Sequence, residues 1–71
     1  MEDFNYKKLD RKAILDFVGS QKGVVEVSKV ISDSGANRLR VYPILFELKM
    51  EGKLEVIQAT DLGTPLSVKL V

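Results

Sequence analysis

The segment Val41-Tyr42-Pro43-Ile44-Leu45-Phe46-Glu47-Leu48-Lys49-Met50-Glu51-Gly52-Lys53-Leu54 constrains this chain more than any other. Val41, Leu45 and Leu48 fall at helical spacing. Gly52 follows four residues after the last of them, where a glycine can take the left-handed turn that ends a helix. The run Leu54-Glu55-Val56-Ile57 comes next and alternates like a strand. A helix that stops at a glycine and passes straight into a hairpin leaves few architectures open, and all of them are α+β.

The rest of the chain fits around that unit. Residues 1–8 read as a polar arm with two aromatics, Phe4 and Tyr6, able to dock on the body that spans 9–71. Asp10 is expected to cap a first helix by accepting from its open amides, with Leu9 and Ile14 as a hydrophobic staple. Ala13, Ile14, Phe17 and Val18 form its apolar stripe, and Gly19 to Gly23 supply the stop. Val24 and Val25 suit a very short strand. A second helix over about Glu26 to Asp33 carries Val27, Val30 and Ile31, and Asp33-Ser34-Gly35 is the turn. The third helix is expected to start near Ala36 or Asn37. Pro43 then either kinks it, or lies in the first turn of a helix that begins near Tyr42. A hairpin follows, with its turn in Asp61-Leu62-Gly63-Thr64-Pro65. Pro65 belongs at the tip or at a strand end, because it cannot donate to a ladder.

Composition narrows the function. With 71 residues the chain is expected to be one domain, burying only about 60% of its unfolded surface. It has no cysteine and no histidine, which removes disulfide staples and the usual zinc sites. Its 11 basic and 10 acidic residues leave a net charge of +1, short of the basic excess typical of nucleic-acid binders, although a local patch matters more than the total. Met1 is followed by Glu2 and Asp3 rather than an apolar run, and no stretch is long enough to span a bilayer. The expected location is the cytoplasm, with no membrane partner.

The order helix, short strand, helix, turn, helix, hairpin resembles the winged helix-turn-helix superfamily. The residues that carry the likeness are Val41, Leu45, Leu48, Gly52 and the strand Leu54-Glu55-Val56-Ile57. The resemblance implies an α+β fold with a three-helix core and a C-terminal β-hairpin wing. It implies non-catalytic binding of double-stranded DNA in transcription regulation, with the third helix entering the major groove. By matching position, Asn37, Arg38 and Arg40 would lead the contact, and from their own placement on the first and second helices Arg11, Lys12 and Lys29 would hold phosphates. The hairpin tip departs from the family habit, with no basic residue and one acid, Asp61. Pro43 offers no donor, and Glu47 repels phosphate unless paired.

The alternative is a protein-interaction or dimerisation module on the same scaffold. Leu39, Tyr42, Phe46 and Met50 form a second apolar flank on the third helix. Tyr42, Phe46 and Met50 are its candidate interface, either bare for a protein partner or homodimer, or covered by the arm. An enzyme is not expected. Asp16, Asp33, Glu47, Glu51 and Asp61 show no acid–base pairing in their spacing, Ser32 and Ser34 have no histidine beside them, and no glycine-rich phosphate loop occurs. No cofactor or metal is expected.

Overall fold

The computed structural model describes residues 6–71. Its elements are α1 (Tyr6–Gln21), β1 (Val25–Glu26), α2 (Val27–Asp33), α3 (Arg38–Met50), β2 (Leu54–Ala59) and β3 (Pro65–Leu70). The three strands form one antiparallel sheet in the order β1-β3-β2. The architecture is α+β, with one core between helices and sheet. Ile14 and Val18 of α1, Val27 and Val30 of α2, Val41, Ile44, Leu45 and Leu48 of α3, and Leu54 and Val68 of the sheet fill it.

α1 already includes Tyr6, four residues before Asp10. Its first turn is held from outside by α3: Lys7 pairs with Glu47, and the Arg40 guanidinium lies 5.7 Å from the Tyr6 ring centroid. Asp10 is therefore a mid-helix residue rather than a cap. Its Oδ2 sits 3.2 Å from Arg40 Nε as a charge pair without aligned hydrogen-bond geometry. Phe4, the other docking aromatic expected of the arm, lies outside the described residues. The helix ends at Gln21, and Lys22 (φ 56°) and Gly23 (φ 152°) turn the chain into β1.

α3 is bounded by two well-formed caps. Asn37 accepts the Leu39 N–H on its side-chain oxygen at 2.8 Å. At the other end the Lys53 N–H reaches the Leu48 carbonyl at 2.9 Å and the Gly52 N–H reaches Lys49 at 3.0 Å, with Gly52 at φ 78°. This is the paired closure in which glycine takes the left-handed position without steric cost. The hairpin then forms, but its register shifts between Val56 and Gln58 and again before Ala59. Simple alternation breaks there, so Pro65, Ser67 and Val68 are all buried. Pro65 is the first residue of β3, a position that needs no donor. Among the described residues no helix is long and apolar enough to cross a membrane.

Pro43 lies well inside α3, five residues past the first. The helix begins before it, so the proline forfeits the bond to the Leu39 carbonyl and crowds that oxygen. Pro43→Ala is expected to stabilise the protein by about 1–2 kcal/mol. The regained helical bond and lost clash outweigh the greater freedom of the unfolded chain. Thermal or urea unfolding checks this, and a variant no more stable than the parent would contradict it.

Candidate functional site

α3 has two apolar sides separated by charged flanks, and among the described residues the fold covers only one of them. Val41, Ile44, Leu45 and Leu48 face the core. At 100° per residue the opposite side carries Leu39, Pro43, Phe46 and Met50 within an arc of about 60°. Leu39 is 83% exposed, Met50 84% and Phe46 43%, and Pro43 is exposed between them. Their 4-3-4 spacing makes a straight stripe of about three turns, roughly 17 Å long. A surface helix of a globular domain normally turns polar residues outward, so this second apolar face departs from the usual pattern.

Tyr42 extends this stripe sideways. It lines a groove of about 340 Å³ with Val27, Ile31, Pro65 and Leu66, bordered by Glu26 and Gln58. The groove is mostly apolar and opens beside the stripe. Leu62, at the hairpin tip, is 95% exposed.

The charged residues divide into two groups. One is consumed along the seam between α1 and α3. Arg11 Nη2 donates to Glu51 Oε1 at 2.7 Å, and its Nη1 lies 3.1 Å from both Glu47 Oε1 and Glu51 Oε2. Lys53 approaches Glu51 at 3.5 Å. The hydrogen bond from Lys7, assisted by Arg11, holds the Glu47 carboxyl below its usual range. The hydrogen bonds from Arg11 do the same for Glu51, and the Arg11 guanidinium is raised in turn. The second group has no carboxylate partner among the described residues. It includes Lys29, Arg38 and Lys49.

These placements sort the expected DNA-binding residues. Arg38 and Lys29 are exposed and have no carboxylate partner among the described residues. Arg40 turns to the other flank, between Asp10 and Tyr6, so the two arginines are not brought together. The Asn37 side-chain oxygen is committed to its cap. Arg11 is committed to Glu47 and Glu51, and Lys12 to Asp16 at 2.6 Å. The expected interface residues Tyr42, Phe46 and Met50 are all exposed on α3. Sequence reasoning left two residues out of that interface, Leu39 and Pro43. The spacing 39-43-46-50 was the signal that could have found them.

The seam has a pH signature. Glu47 and Glu51 are held below the ordinary carboxylate value in the folded protein, so the unfolded chain binds protons first as pH falls. Their contribution is present above the ordinary carboxylate range of about pH 4 and is lost as pH drops through the lower folded values. Arg11→Met is expected to lower stability at neutral pH and to make the decline below about pH 4 shallower. Urea midpoints measured across the acid range check this. Parallel curves for parent and variant would contradict it.

Compared with protein-family models, curated proteins and solved structures, the chain matches none.

Proposed function

We propose that this chain is a winged helix-turn-helix domain that recognises another protein, without catalysis, through the outer face of α3. The element order, the β1-β3-β2 sheet and the hairpin that follows Gly52 support the winged assignment. The observation that carries the function is the bare stripe Leu39–Pro43–Phe46–Met50. In a groove reader this face presents donors and cations to bases and phosphates. Here the centre of the face presents none, and the exposed cations Arg38 and Lys49 sit at its border. A stripe of this length and spacing suits a helix-on-helix contact, in which side chains at three- and four-residue intervals act as anchors.

Double-stranded DNA is the second reading. Arg38, Lys29 and Lys49 favour it, being exposed cations without a carboxylate partner among the described residues. Three such residues supply few phosphate contacts, and phosphate neutralisation dominates affinity for DNA.

Site-specific photo-crosslinking in cells tests the proposal. The protein carries p-benzoylphenylalanine in place of Phe46, or in place of the exposed Glu55 on β2 as a control. One discrete protein adduct at position 46, absent at 55 and lost when Met50→Glu is added, is expected. Adducts with DNA, or equal adducts at both positions, would overturn the proposal.

A further inference from the structure

The edges of the α3 stripe say which kind of protein fits it. Arg38 and Lys49 lie on one flank, at opposite ends, and neither has a carboxylate partner among the described residues. The acids of the other flank are already matched, Glu47 by Lys7 and Arg11, and Glu51 by Arg11 and Lys53. The bare face is thus an apolar track with uncompensated positive charge along one border.

A second copy of this chain complements that pattern poorly. Two α3 helices laid antiparallel across their stripes bring Arg38 of one copy beside Lys49 of the other, and the symmetry repeats the clash. Laid parallel, they set Arg38 against Arg40 at one end and Lys49 against the already matched Glu47 and Glu51 at the other, so the antiparallel pairing is the one repulsive at both ends. Like charges facing one another at a contact disfavour that pairing.

We infer that the stripe docks an acidic amphipathic helix of a different protein, its apolar residues on Leu39, Pro43, Phe46 and Met50 and its carboxylates reaching Arg38 and Lys49. This inference rests on the reading of α3 as a protein-binding face. Tyr42 and the groove beside it give such a helix room for one large apolar side chain.

Fluorescence anisotropy with two synthetic peptides tests it. Both peptides are amphipathic helices with the same leucine stripe; one carries glutamate on its flanks, the other lysine. The parent is expected to prefer the acidic peptide by about fivefold, the scale of two solvent-screened pairs. Arg38→Glu/Lys49→Glu is expected to reverse the preference. Lys22→Glu/Lys69→Glu makes the same change in net charge on the far cavity between α1 and β3, and is expected to keep it. Equal binding of the two peptides, or a preference that follows net charge in both variants, would overturn the acidic partner and leave the protein-binding face standing. No binding of either peptide would overturn both. Sedimentation showing a dimer of the parent that Phe46→Glu dissociates would replace the acidic helix with a second copy.

Discussion

Replacing Leu39 and Phe46 together by glutamate is expected to abolish partner binding while the fold survives. Both side chains lie on the uncovered side of α3, and neither belongs to the core. Surface substitutions of this kind usually change stability by less than about 0.5 kcal/mol each. Leu39 is the second residue of α3, where a carboxylate also suits the positive end of the helix. At a docked interface the same changes place two charges against apolar anchors. Central anchors each contribute about 2 kcal/mol or more, so a loss of affinity of about a hundredfold or greater is expected. Circular dichroism and thermal unfolding establish the fold, and a crosslink from p-benzoylphenylalanine placed at position 50, or peptide anisotropy, reads the binding. A double variant that folds and still binds as the parent does would remove α3 from the interface.

Leu48→Ala is expected to have the largest effect on stability. Leu48 is fully buried on the inner side of α3, in the same cluster as Ile14, Leu45 and Leu54. Truncation leaves a cavity that its neighbours only partly fill, at a cost of about 2–5 kcal/mol. A domain of this length holds roughly 4–11 kcal/mol in total, so the variant approaches the unfolding limit at ambient temperature. Its urea midpoint is expected to fall sharply. An unchanged midpoint would mean that the inner side of α3 is not the packed side, and the assignment of inner and outer faces would fail with it.

The two faces of α3 were unequally legible in the sequence. The inner one followed from spacing alone, because Val41, Leu45 and Leu48 recur at three and four residues and Gly52 marks the stop. The glycine stop of that helix, and the placing of Pro65 at the tip or a strand end, came from the same local chemistry. The start of α1 did not. Asp10 looks like a cap in one dimension, yet its partner is Arg40, thirty residues away, and the turn before it is held by Glu47. Contacts at that separation leave no local trace. The same seam explains the candidate DNA residues. Arg11, Lys12 and Arg40 read as available cations until the carboxylates that neutralise them are placed beside them. The apolar flank Leu39–Tyr42–Phe46–Met50 was visible as a pattern, but a pattern does not say whether a face is covered. Among the described residues the fold leaves it open.

The most direct test of α3 as a protein-docking face is an amide chemical-shift titration of the isotope-labelled chain, run in parallel with the acidic amphipathic peptide and with a short random-sequence DNA duplex. The peptide is expected to move the amides of Leu39, Tyr42, Phe46 and Met50, while the duplex leaves α3 unchanged at moderate salt. Salt-sensitive shifts of Asn37, Arg38 and their α3 neighbours on adding the duplex, with none on adding the peptide, would contradict it and make α3 a DNA-reading helix.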